Sequence, residues 1–137
     1  MLDCSGYTRM VYGYHMGVPM AAKADTSGDR IPRRSRDMAD HTPGVLIDRT
    51  DGTLPPAAND LQPGDLVLFN ADSGDDGEPT GTVDHAGIYL GRDAAGKRRF
   101  LSSRKTGNGP TMADLAGPSL LDGAGLYASS LHTVRRI

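Results

Sequence analysis

The sequence has no tryptophan, one cysteine and no long apolar run. A single cysteine cannot close a disulfide within the chain. One cysteine with four scattered histidines also lacks the short Cys/His spacings that hold zinc, so no metal is expected. No stretch approaches the roughly 18 apolar residues of a membrane span. No basic segment followed by an apolar stretch precedes the first motif, so no signal peptide is read. Basic residues are in slight deficit, 15 Lys and Arg against 17 Asp and Glu, for a net charge of −2. That balance argues against a nucleic-acid partner, which calls for a strong basic excess. There are no internal repeats.

The chain has 137 residues, enough for one domain with one sizeable core, and a single domain over 1–137 is expected. Eighteen glycines and nine prolines put many of those residues in turns. At the front stands "LDCSGYTRMVYGYH". Cys4, Tyr7, Val11 and Tyr14 follow a helical period, Asp3 and Ser5 are cap residues, and Gly17 before Val18-Pro19 is a stop. A helix over about 4–16 follows. Residues 20–31 read as an irregular connection, and Pro32 opens a short second helix in "PRRSRDMAD". In "LQPGDLVLF" a Pro-Gly turn feeds a buried strand at 66–69. After an acidic, Gly-rich loop, "HAGIYLG" is a strand with His85, Gly87 and Tyr89 on one face and Ala86, Ile88 and Leu90 on the other. "RDAAGK" turns into "RRFLSS", making 85–103 a hairpin, and a last strand falls around 130–137. Helices first and antiparallel strands after give an α+β plan.

Free cysteine is among the most buried residue types, and a buried thiol is the plain reading of Cys4. Its position at a helix start supports another. There the partial positive charge lowers a thiol's pKa, and the exposed N–H groups can hold an oxyanion. A nucleophile of this kind needs a base and the base needs an orienting partner. His85 alone among the histidines begins a clear strand, with Gly87 two residues on leaving room for a substrate or a sulfur. His15, His41 and His132 read as surface or edge residues. The orienting residue should come from the strand paired with His85. If Leu90 pairs with Lys97, His85 lies opposite Ser102; if Leu90 pairs with Arg98, it lies opposite Ser103.

Other features carry less. "DSGDDG" at 72–77 has Gly74 and Val83 where a calcium loop needs an acid or amide and a Glu, so it reads as a solvated loop. Gly107-Asn108-Gly109 lacks the strand-turn-helix setting of a phosphate loop. Arg30, Arg33, Arg34 and Arg36 form a basic cluster. Such clusters are usually solvated faces; the functional reading is that an arginine such as Arg34 holds a substrate carboxylate by bidentate bonding.

Taken in order, "DCSG", "IPRRSRDMA", "LQPGDLVLF", "HAGIYLG" and "RFLSS" resemble the NlpC/P60 cysteine peptidases over about residues 2–103, with "VRRI" a looser match. The resemblance implies a papain-like α+β fold, N-terminal helices packed on a small antiparallel sheet. It implies hydrolysis of amide bonds in peptidoglycan stem peptides, often after γ-D-glutamate, without a cofactor. By the same resemblance Cys4 is the nucleophile and His85 the base. Ser102 falls at the third position, where the family usually carries His, Asn or Gln, and Phe100 matches its aromatic neighbour. Asp3 matches the acid that meets the stem peptide's free amine, and Ser5 and Arg34 join it as substrate-binding candidates. Family members carry a helix and an aromatic-Gly-Gly stretch ahead of the cysteine. The expectation is therefore a chain shortened at its front, prone to self-association, from a longer form that is secreted or held in the cell envelope. Two rival functions are a catalytically impaired cell-wall-binding module of the same fold and a Cys-His acyltransferase, which would need an apolar acyl groove.

Overall fold

The computed structural model describes residues 3–17, 34–42, 45–47, 61–71, 82–103, 110–111 and 119–137. The first element is a short α-helix, α1 (Cys4–Thr8), which runs straight into a π-helical segment, Arg9–His15. Asp3 caps α1, its carboxylate accepting from the Gly6 N–H at 2.6 Å. The wider winding beyond Thr8 shows in the Met16 N–H reaching back five residues to the Val11 carbonyl at 3.1 Å. It also rotates the apolar stripe. Tyr7 and Val11 still pack on the core, but Tyr12 takes the buried place and Tyr14, expected inside, is 65% exposed. The Arg9 guanidinium lies over the Tyr14 ring at 5.6 Å. Gly17, at φ +70°, ends the segment in the left-handed region that glycine tolerates.

The second helix, α2 (Ser35–His41), has Arg34 at its N-cap. Pro32, expected in its first turn, lies outside the described residues, as does the connection at 20–31. Strands β1 (Val45–Ile47), β2 (Leu66–Phe69), β3 (His85–Arg92), β4 (Arg98–Ser103), β5 (Pro110–Thr111) and β6 (Leu131–Arg136) form one antiparallel sheet in the order β1-β6-β2-β3-β4-β5. A five-residue helix, α3 (Leu126–Ser130), leads directly into β6. This is the α+β fold that the sequence order implies. The sequence reading did not single out β1, β5 or α3.

Strand β2 is buried along its whole length because both faces of the sheet are covered. Leu66 and Leu68, paired with Ile88 and Ala86, pack with Tyr12, Met38 and Ala39 of the helical layer. Val67 and Phe69 face the other way, into a core of Tyr89, Phe100, Tyr127, Leu131 and Val134.

Polar staples fix the sheet to its surroundings. Asp65, 2% exposed, accepts from the Gln62 N–H at 2.7 Å and takes a two-pronged bond from Arg136, at 2.9 and 2.8 Å. The Tyr12 hydroxyl donates to the Gly64 carbonyl next to it, and burial, with the nearby Asp65 charge, pushes the Tyr12 pKa up to about 12. Arg135 donates to the Ala39 carbonyl at 2.8 Å, joining β6 to α2. Removing one partner of a paired, mostly buried charge is costly, and Arg136 retains some access to water. Asp65→Ala is expected to lower stability by about 2 kcal/mol, read as a fall in the urea midpoint with an unchanged slope.

Candidate active site

The site is assembled where α1, α2 and the start of β3 meet. Cys4 is the first residue of α1. Its sulfur lies 3.6 Å from the Ser35 hydroxyl, which the start of α2 brings in from 31 residues away, and the backbone N–H groups of Ala86 and Ser5 also approach it. Ala86 directly follows His85, so the sulfur sits against the first turn of the β3 backbone beside the histidine.

His85 is buried, and its Nε2 is 3.1 Å from the Ser102 hydroxyl. Neither pairing considered from the sequence is the one that forms. Tyr89 pairs with Phe100, Gly91 pairs with Arg99, and Leu90 is the extra residue of a bulge between them. Continued to the end of the ladder, that register sets Ser102 opposite Gly87. Ser102 is thus diagonal to His85 on one face, within side-chain reach. Ser103, one residue on, takes the opposite face. Gly87 also has a different reason from the one expected. A Cβ there would stand 2.8 Å from the Phe100 ring, so the space beside His85 is filled by Phe100 rather than left for a substrate or a sulfur.

The imidazole is packed among aromatic rings. Phe69, its cross-strand partner, has its ring centroid 5.9 Å away, and Tyr127 comes within 5.0 Å at a tilt of 36°. Asp84, immediately before His85, accepts from the Ala71 N–H at 2.9 Å and ties the entry to β3 to the exit from β2.

Of the proposed binding residues, Asp3 is committed to α1. One carboxylate oxygen takes both the Gly6 N–H and, at 3.1 Å, the Ser5 hydroxyl. Ser5 is buried beneath it. Arg34 is exposed at the start of α2, next to Ser35 and therefore beside the thiol's neighbour. Arg36 is half-buried one turn position further on. Arg30, Arg33 and the acidic loop at 72–77 lie outside the described residues. The described residues hold no cluster of three metal-ligating side chains. Ser35 and Tyr127 were not read as site residues from the sequence. Ser35 had a usable signal, a hydroxyl at the start of a predicted helix in the motif following the cysteine. Tyr127 had none, because only the three-dimensional path of α3 brings it to His85.

The thiol departs from expectation. Burial is the largest influence and raises its pKa above the ordinary value. The Ser35 hydroxyl and the Ala86 and Ser5 backbone lower it, while the Asp3 carboxylate adds to the rise. Although Cys4 as a residue is only half-buried, its sulfur lies in dense surroundings. A helix start lowers a thiol's pKa when it offers unpaired N–H groups to solvent-accessible sulfur. Here the cap is the Asp3 carboxylate, which takes the Gly6 N–H and brings negative charge to the helix start.

Compared with known families, the chain matches the NlpC/P60 family model over residues 1–122. No curated protein and no solved structure matches it. The electrostatics give a direct expectation. A raised pKa keeps Cys4 protonated at neutral pH, so iodoacetamide should label it slowly at pH 7. The rate should still be rising above the ~8.5 of an unperturbed thiol. Ser35→Ala removes a lowering contact and should move that rise further towards alkaline pH. A plateau reached by about pH 8 would contradict the burial argument.

Proposed function

The chain belongs to the NlpC/P60 family, a family of cell-wall peptidase type, and we propose that it is a cysteine endopeptidase cutting amide bonds in peptidoglycan stem peptides. The observation that carries the reading is the convergence of Cys4 and the β3 start on one point, with His85 hydrogen-bonded on Nε2 to Ser102. A thiol protonated at rest calls for general-base attack rather than a preformed ion pair. With Nε2 turned to Ser102, Nδ1 of His85 takes the thiol proton as Sγ attacks the carbonyl carbon. The Gly6 and Tyr7 N–H groups are engaged by Asp3 and the Ser5 N–H faces the sulfur, so the oxyanion falls to the Cys4 N–H at the start of α1. Protonated His85 then gives its proton to the leaving amine as the C–N bond breaks. Water, activated by His85, releases the acyl group from sulfur.

Ser102 suits a supporting role. A hydroxyl can accept the Nε2 proton without adding charge, so it supplies orientation rather than electrostatic stabilisation of an imidazolium. Arg34, exposed at the start of α2, is the proposed partner of a carboxylate of the stem peptide, and the proposed product is a shortened peptide in the cell envelope. No helix among the described residues is long and apolar enough to cross a membrane. A second reading, a binding module that kept the fold without turnover, is favoured by the raised thiol pKa alone.

Purified peptidoglycan separates the two readings. The chain should release fragments whose masses identify one cleaved amide, and Cys4→Ala should abolish release while leaving the thermal midpoint nearly unchanged. Ser102→Ala should reduce turnover by less than His85→Ala does, because only orientation is lost. More than a few per cent of activity in Cys4→Ala would end the assignment of the nucleophile.

A further inference from the structure

We infer that Tyr127 is a positioning residue for His85, its ring packing on the imidazole and holding it in the plane that presents Nε2 to Ser102. The inference rests on reading His85 as the base. The hydrogen bond to Ser102, 3.1 Å long, meets the ring at a single nitrogen. Rings lying against the imidazole restrict rotation of its plane. Phe69 supplies one neighbour at 5.9 Å, and Tyr127 supplies the nearer one at 5.0 Å and 36°.

Tyr127 is itself held from several sides. Phe69 and Phe100 meet it edge-on, at 5.2 Å and 72° and at 5.4 Å and 74°, and the residue is 4% exposed. Edge-to-face contacts of this kind have a preferred geometry and resist rotation more than aliphatic packing does. Helix α3 is anchored to the same strand as the histidine's partner. The Asn70 N–H donates to the Ser130 carbonyl at 2.9 Å, and Leu131 pairs with Phe69. The ring that orients His85 therefore comes from residue 127, beyond the segment that the family model matches, which ends at residue 122. A neutral hydroxyl as third residue makes this packing more consequential. Serine can donate or accept, so the tautomer depends on the ring being held where the Nε2–H can donate to its hydroxyl.

The test reads the imidazole directly and turnover separately. Long-range proton–nitrogen correlation spectra of the chain with ¹⁵N-labelled histidine, with His85 assigned by His85→Gln, should show a single tautomer protonated on Nε2. Tyr127→Phe, which keeps the ring, should preserve it. Tyr127→Leu should shift it towards the mixture of free imidazole. In the peptidase assay the same Leu variant should lose about tenfold in kcat with KM within about twofold, and Tyr127→Phe should restore kcat. Tyr127→Met, closer in volume, serves if the Leu variant does not fold by circular dichroism. A folded Leu or Met variant with an unchanged single tautomer would overturn the inference. If the parent chain releases no peptide, the spectra still decide the role of Tyr127, and the failure belongs to the peptidase reading.

Discussion

Everything at the candidate site depends on the first two residues of β3 pointing to opposite faces of the sheet. His85 enters the aromatic face and meets Phe69, Tyr127 and Ser102. Ala86 turns its side chain into the helical face, while its backbone N–H, next to His85 at the start of β3, approaches the Cys4 sulfur. That division is set by the β2–β3 ladder, in which Phe69 pairs with His85 and Leu68 with Ala86. A slip of one residue would exchange the two faces, burying an imidazole under the helices and removing His85 from Ser102. The slip is prevented by burial on both sides of β2, since every one of its four residues has a fitted partner layer. The core and the site are thus the same constraint seen from two directions.

The thiol shows how two sound local rules can compete. A helix start favours a thiolate, and burial disfavours it. Burial prevails, and the cap works with it, because the Asp3 carboxylate uses the Gly6 N–H and adds its own charge near the sulfur. Ser35 and the Ala86 backbone recover part of the loss. The balance therefore depends on α2 and β3, elements remote in sequence from Cys4. It leaves the proton on sulfur, so in the proposed peptidase reaction the burden of activation would fall on His85 and on whatever orients it.

The order and type of the main elements were legible because each carried a local signal. The Asp-capped helix start, the Pro-Gly turn before β2 and the alternation of β3 were all written in neighbouring residues. The register of the β3–β4 hairpin was not. The turn at 92–97 marks where the chain reverses, while the bulge at Leu90 arises inside the ladder and shifts both pairings that the turn allows. Ser102 reached His85 in spite of that shift, because the same face and a diagonal spacing suffice for contact. The π-winding after Thr8 was equally hidden. An α period places Tyr14 with Cys4 and Tyr7, and only the observed hydrogen bonds show that Tyr12 is the buried residue.

Tyr127 marks the boundary of what local sequence can say. Nothing in "GLYASSLHTVRRI" distinguishes this tyrosine from any other aromatic before a strand. Its relation to His85 exists because β6 inserts between β1 and β2, bringing residues 131–136 against the strand that pairs with β3. Leu131 must then pair with Phe69, and the short helix just before it has to cross the aromatic face. Once β6 is in that slot, the residue four positions before Leu131 stands over the imidazole. A histidine supported by a neutral hydroxyl has less to fix its plane than one supported by a charged partner. The insertion of β6 sets an aromatic ring against that histidine, beside its contact with Ser102.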